Sequence, residues 1–379
     1  MKRETAYDTA IIGGGLAGLC LSIQLAQQGF KIILFEKESY PFHKVCGEYI
    51  SMESYDFLKR LGLRLDEMQL PFIKRLVVTS PAGTALEANL DLGGFGISRY
   101  KIDNDLKDIA EKNNVTILQN CKVEDVQFAD ESFTIFTSEG NFTAKTCCGS
   151  FGKKSNLDIK WKRPFAKAAP NKLNNFIGIK YHVIADMPAD TIALHNFKNG
   201  YCGISKIEDD KYCVCYLTNA ANLKESNNSI DEMEKNILSV NPHLKNIFVT
   251  AKKVYSTPLS ISQISFQKKS QVEDHVLLIG DAAGMITPLC GNGMSMAMHG
   301  SKIAAECITA FLQNISSRQV MEKDYERKWK NNFAKRLRAG RIVQSFFGKE
   351  SSTNIFINIM KRIPFVTKNI IKATHGKPF

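Results

Sequence analysis

An α/β fold is predicted: a three-layer, Rossmann-like domain interrupted by an antiparallel β-sheet and followed by a helical C-terminal segment. Three features of the 379-residue sequence predict it. The first 36 residues hold an apolar run, a glycine-rich turn, a helix-like stretch, a second apolar run and an acid. Near residue 280 another apolar run again ends in glycines. Between the two lie short β-rich runs separated by turn-forming residues.

The first unit sets its glycines on a strand end. Residues 9–12 read as a strand, Gly13-Gly14-Gly15-Leu16-Ala17-Gly18 as the turn into a helix, 31–35 as a second strand, and Glu36 closes the unit. Gly13 makes the tight turn, Gly15 lets backbone N–H groups approach a pyrophosphate, and Gly18 lets helix and strand pack closely. The helix N-terminus then turns its positive dipole end to the phosphates. Glu36 stands where a carboxylate accepts hydrogen bonds from both hydroxyls of an adenosine ribose, and a 2′-phosphate would be repelled. FAD or NAD therefore fits better than NADP.

Far downstream, residues 276–279 read as a buried strand running into Gly280-Asp281-Ala282-Ala283-Gly284, then Pro288, then Gly291-Asn292-Gly293-Met294 and a helix over 294–311. This order resembles the second FAD fingerprint of the aromatic-hydroxylase and geranylgeranyl-reductase flavoproteins. The resemblance implies FAD as cofactor, with Asp281 on the ribityl chain and the glycine turn aiming a helix N-terminus at the flavin pyrimidine ring. Positive potential there stabilises the anionic reduced flavin. Between the fingerprints, Arg99-Tyr100-Lys101-Ile102-Asp103 and Leu106 resemble the family's Arg-x-x-x-Asp-x-x-Leu segment, which implies that Arg99 forks onto the pyrophosphate. Pro41-Phe42-His43-Lys44-Val45-Cys46-Gly47-Glu48 resembles the Cys-Gly-Glu segment that lies beside the isoalloxazine in geranylgeranyl-reductase relatives. Cys46 is thus a candidate proton donor, nucleophile or packing group. Glu48 is a candidate proton relay if burial raises its pKa. His43 and Lys44 are candidates for the FAD ribose or diphosphate.

One departure bears on the reductant. Where hydroxylases carry Asp-Gly after a strand end, this chain has Gly149-Ser150-Phe151-Gly152, so reduction by NADH or NADPH in the hydroxylase manner is in doubt. No second GxGxxG occurs, which leaves a transiently bound NADH or NADPH or a protein electron donor. Trp161 and Trp329 stand alone, without the tryptophan-rich signature of flavin halogenases.

A 44% hydrophobic content supports a sizeable core and excludes intrinsic disorder. Ten cysteines show no metal-ligand spacing, so no metal is expected, and reduced thiols in a cytoplasm fit best. No signal peptide or membrane span is expected.

The domain reading is discontinuous. Residues 1–70, 100–165 and 272–317 are assigned to the FAD domain, 71–99 and 166–271 to an antiparallel substrate domain, and 318–379 to a basic helical segment. Strands are expected at 76–80, 87–91, 176–183, 191–196, 201–207 and 212–217, and a helix over 224–240 entered from Ser229 with Glu232 as capping-box partner. Residues 318–379 carry roughly 15 Lys/Arg against 4 Asp/Glu, nearly the whole excess of the +12 chain. Such a segment either caps the substrate domain or makes peripheral contact with an anionic membrane or acidic carrier. Nucleic acid is not expected, because no recognised module accompanies the charge.

By resemblance, the expected activity is FAD-dependent reduction of carbon–carbon double bonds in an isoprenoid or other lipophilic substrate. A flavin monooxygenase acting on an aromatic or polyketide substrate is the alternative, and a non-catalytic flavin-binding protein at a membrane surface is a third reading.

Overall fold

A parallel sheet forms around the first strand, Ala6–Ile12, which pairs with Ile32–Phe35 on one side and Gly140–Gly149 on the other. Thr116–Leu118 extends the sheet beyond Ile32–Phe35, and Val276–Leu278 extends it beyond Gly140–Gly149. The chain therefore leaves the first strand at a topological switch point, where α/β sheets open a ligand crevice at their carboxyl ends. Two strands, Val123–Ala129 and Ser132–Thr137, add an antiparallel flap to Gly140–Gly149. The computed structural model describes residues 6–168, 175–287, 291–347 and 350–379.

The helix Leu16–Gln27 is buried nearly all round, with Leu16, Leu19, Leu21, Ile23 and Leu25 in the core. A helix apolar on every face needs cover on every face. The sheet, Arg99–Lys112 and Gly293–Leu312 provide it. This explains why the sequence there shows no amphipathic stripe.

The second sheet holds Phe176–Ile184, Tyr212–Asn219, Gly200–Lys206 and Thr191–Phe197 as an antiparallel meander. Every strand expected from sequence in this region is present. The sheet is not wholly antiparallel, however: Phe72–Thr79 joins Thr191–Phe197 in parallel. The hairpin Phe72–Thr79 and Ala85–Gly96 comes from a distant segment of chain, so no tight turn dictates its direction. Tyr49–Ser51, assigned to the FAD domain from sequence, pairs with Gly94–Gly96 at the edge of this second sheet.

The single helix expected over 224–240 is divided into Ala220–Glu225 and Ile230–Asn236. Asn227 and Asn228 adopt left-handed φ of 53° and 60°, which ends the first helix. Ser229 does cap the second, its hydroxyl accepting from Glu232 N at 3.2 Å. Glu232 accepts from Asn227 Nδ2 at 3.1 Å.

The C-terminal segment forms three helices, Arg318–Phe346, Glu350–Arg362 and Pro364–Thr374, with Pro364 at a helix start where its missing N–H is harmless. Tyr325, Trp329, Phe333 and Leu337 dock the first onto the parallel-sheet domain. Ile357 and Met360, with Val343, Phe356 and Ile370 beside them, close over Leu194, Leu217, Ile264 and Phe266 of the second sheet. Much of the apolar content of this segment is thus a cap. Among the described residues no helix is long and apolar enough to cross a membrane.

Candidate active site

The glycine turn builds a cradle. Gly13 has φ of +105°, and a Cβ there would lie 2.5 Å from Ser150 O. A Cβ on Gly18 would lie 2.1 Å from Gly13 O, so only glycine lets the helix reach the strand end. Gly15 is different: a Cβ would meet only Lys44 Nζ at 3.5 Å and an Arg99 guanidinium nitrogen at 3.6 Å. It caps the Leu16–Gln27 helix without any side-chain acceptor, leaving the first N–H groups for a ligand. Free amide donors facing two cations make an anion site. Glu36 closes the far side, its carboxylate accepting from Gly14 N at 2.9 Å and Glu38 N at 3.2 Å, with lone pairs left over for ribose hydroxyls.

Arg99 sits at this cradle, but its fork is occupied. Its Nε and one terminal nitrogen donate to Asp103 at 2.8 and 2.6 Å, and Lys44 Nζ lies 3.2 Å from the same carboxylate. Asp103, four positions on and one helical turn away, takes the fork that the resemblance directs to a pyrophosphate. The remaining guanidinium N–H groups are what a phosphate would meet.

Cys46 and Glu48 come next. Glu48 adopts φ of +55° and is fully buried. One oxygen accepts from Arg99 N at 2.7 Å and from Lys180 Nζ, and the other lies 2.6 Å from His182 Nε2. Burial raises its pKa, but the hydrogen bond from His182 and the charge of Lys180 outweigh burial and hold the carboxyl below its ordinary value. The raised pKa that a proton-releasing Glu48 requires is thus not present. Burial pushes the Cys46 thiol up, against the opposing pull of Arg99, so Cys46 is a thiol rather than a nucleophilic thiolate. Its carbonyl accepts from the Cys213 thiol at 3.2 Å.

Lys180 and His182 were not singled out from sequence. They occupy alternate positions of one strand and so share a face. A lysine and a histidine at that spacing in an apolar strand were the available signal. Glu48, His182 and Cys213 also lie close enough to hold a metal. The Lys180 ammonium already sits on the carboxylate, and burial pushes the Cys213 thiol well up, so the group is an ion-pair network. His182 also lines a half-open cavity of about 400 Å³, with His43, Tyr100 and Tyr255 around it. His43 stacks on Tyr100, with ring centroids 4.6 Å apart.

The second fingerprint folds against the first. Gly280 has φ of +59° and faces Ala17 of the first helix. Asp281 lies in a 3-10 turn whose backbone is held by Lys269 Nζ on Asp281 O at 2.7 Å. Burial raises the Asp281 carboxyl, opposed by Lys269, Arg99 and Lys153. Gly291 packs on the Tyr49 ring, Asn292 caps the Gly293–Leu312 helix by position, and Met294 is buried in its first turn. Among the described residues, Asn292 Oδ1, Ser295 Oγ and Tyr49 OH are buried without a partner. Pro288, with residues 289 and 290, lies outside the described residues. The backbone donors of the cradle and these buried polar atoms fit the two ends of FAD, the diphosphate and the polar edge of the flavin ring.

Comparison with known proteins agrees. Residues 11–45 match the NAD(P)-binding Rossmann-like domain family, and residues 204–342 match the squalene epoxidase family. A digeranylgeranylglycerophospholipid reductase of Methanococcus vannielii is 24% identical over 88% of this chain and 84% of its own. The chain is thus similar to FAD-dependent oxidoreductases. Another relative is conditioned medium factor receptor 1 of Dictyostelium discoideum, 26% identical over 87% of this chain and 68% of its own. Among solved structures, a flavin-dependent brominase superposes with a TM-score of 0.80 at 21% identity, covering 98% of this chain and 93% of the brominase, a likeness of fold.

Proposed function

We propose that this flavoprotein reduces carbon–carbon double bonds of an isoprenoid or similarly lipophilic substrate. The observation that carries the reading is the Cys46-Gly47-Glu48 turn wired through Glu48 to His182 at the cavity wall. Addition of two hydrogens to a double bond needs one hydride and one proton. When bound, FAD supplies the two-electron chemistry, drawing on a transient NADH, NADPH or protein donor and delivering hydride. Gly13, Gly15, Gly18, Glu36, Lys44 and Arg99 would hold its dinucleotide part, and Asp281, Asn292 and the Gly293–Leu312 helix its flavin end. The Cys46 thiol keeps its proton at neutral pH and can donate it. His182, between solvent and Glu48, can return one. Glu48, held as a carboxylate, orients the imidazole and the turn. Two names among the relatives, squalene epoxidase and digeranylgeranylglycerophospholipid reductase, belong to isoprenoid chemistry and support the substrate class.

The test is anaerobic turnover of FAD-loaded protein with a polyprenyl lipid and dithionite or NADPH, read by mass spectrometry. Gain of two hydrogens per double bond supports the reductase. Absence of reduction, with oxygen uptake and an added oxygen or halogen in air, replaces it with the monooxygenase or halogenase reading that the squalene epoxidase match and the brominase fold favour.

A further inference from the structure

The helix Glu350–Arg362 is apolar over more of its surface than the second sheet covers. Ile357 and Met360 face the sheet. Beside them Ile355 and Ile359, one turn apart, continue to Ile363, and these side chains are 61%, 47% and 47% exposed. Phe346, at the end of the preceding helix, stacks on Phe356 at 5.2 Å, and Ile342 lies one turn before it at 55% exposure. Phe365, in the last helix, is 73% exposed and shares its outer face with Lys368 and Lys372. Cations edge this row. Arg338, Arg341, Lys361, Arg362 and Lys372 have no carboxylate within ion-pair distance among the described residues, whereas Lys368 pairs with Asp91 at 2.9 Å.

An exposed row of isoleucine and phenylalanine bordered by lysine and arginine has the composition of a helix lying in a lipid interface, with the long cationic side chains reaching the headgroups. A second copy of this +12 chain would bring like charge against like charge. We propose that the outer face formed by Ile342, Ile355, Ile359, Ile363 and Phe365 docks on an anionic bilayer surface, apolar side chains entering the interface and Arg338, Arg341 and Arg362 meeting acidic headgroups. The same helix thereby faces lipid outside and closes the second sheet inside.

Co-sedimentation of the full chain with phosphatidylcholine vesicles, alone or mixed with phosphatidylglycerol, tests this. The protein pellets with the mixed vesicles and not with neutral ones, and salt releases it. Ile355→Asp, Ile359→Asp and Phe365→Asp together lower partition by about tenfold or more, from the apolar area lost. Arg338→Gln, Arg341→Gln and Arg362→Gln lower it roughly fivefold per charge. Unchanged melting temperature and FAD content show that these surface variants fold. Equal pelleting of the apolar variant and the parent overturns the proposal, as does failure of the parent to bind mixed vesicles. So does a dimer in sedimentation velocity that the apolar variant abolishes, because a second copy would then own the face.

Discussion

His182 Nε2 lies 2.6 Å from Glu48 Oε2, joining the second sheet to the loop beside the dinucleotide site. Lys180 fixes the other carboxylate oxygen, so Glu48 is locked between two strand residues and the Arg99 amide. His182→Gln preserves a donor to Glu48 but cannot exchange a proton. It is expected to leave the FAD spectrum and stability nearly unchanged while lowering turnover by roughly 10²–10⁴-fold, the usual range for a lost acid–base group. The pH profile of kcat distinguishes this from a packing role, since a structural imidazole would leave its shape intact. Unchanged turnover would remove His182 from the chemistry.

Glu48→Gln is expected to fail differently. It strips the charge from a buried pair and leaves Lys180 uncompensated, a loss of about 3–5 kcal/mol. A large fall in melting temperature with weakened FAD retention is the outcome, and the double variant Glu48→Gln, Lys180→Met should recover part of it. If the single variant melts with the parent, the network carries no stability.

Cofactor affinity should divide the predicted site residues into two groups. Gly15→Val fills the one glycine position that faces the two cations, and Asp281→Ala removes the carboxylate near Lys269 and Arg99; both should lower FAD occupancy. Arg99→Gln should cost at least about tenfold in affinity, since a charge-assisted contact to phosphate is worth roughly 1.5–3 kcal/mol. Cys46→Ala should keep FAD bound. Absorbance after gel filtration reads all four. Loss of turnover in the Cys46 variant then marks a proton donor, and full turnover marks a packing group.

Gly13 and Gly18 were legible because each demands a conformation or clearance that only glycine meets, Gly13 against Ser150 and Gly18 against Gly13. Strands in both sheets were legible from apolar runs and turn formers. The partners of Glu48 were not. Lys180 and His182 lie more than 130 positions away in sequence and reach it only because the second sheet folds over the loop. Asp103 was equally hidden as a partner: the Arg-x-x-x-Asp spacing sets the two charges one helical turn apart, but the resemblance directs the arginine to a phosphate. The parallel junction at Phe72–Thr79 was invisible because periodicity fixes which residues face the core but not strand direction.

Acid should destabilise the protein through buried histidines. Burial lowers His195 to about 3 and His299 to about 4. With folded values below the unfolded 6.5, the unfolded chain binds more protons as pH falls. Stability is therefore full above about pH 6.5 and falls as acid is added, by up to about 1.4 kcal/mol per pH unit for each group until its folded value is reached. Melting temperatures from pH 7 to 4 measure the slope. His195→Gln, which retains a polar partner for Thr79, should flatten it; an identical slope would place the acid sensitivity elsewhere.

Arg163 is buried and gathers three separate pieces of chain. It donates to Asp158 at 2.6 Å, to Ser270 O at 3.0 Å and to Ala282 O at 3.1 Å, the last belonging to the turn that carries Asp281. Arg163→Met matches its length but leaves Asp158 charged and two carbonyls without donors. A loss of about 3–5 kcal/mol is expected from the broken buried pair. The turn should also loosen, so FAD should dissociate faster even at temperatures where the protein remains folded. Asp158→Asn on the same background removes the stranded charge and should restore part of the melting temperature without restoring FAD retention, because the donors to Ser270 O and Ala282 O are still missing. Recovery of both properties together would show that Arg163 serves only Asp158, and recovery of neither would show that the carbonyl contacts dominate stability as well.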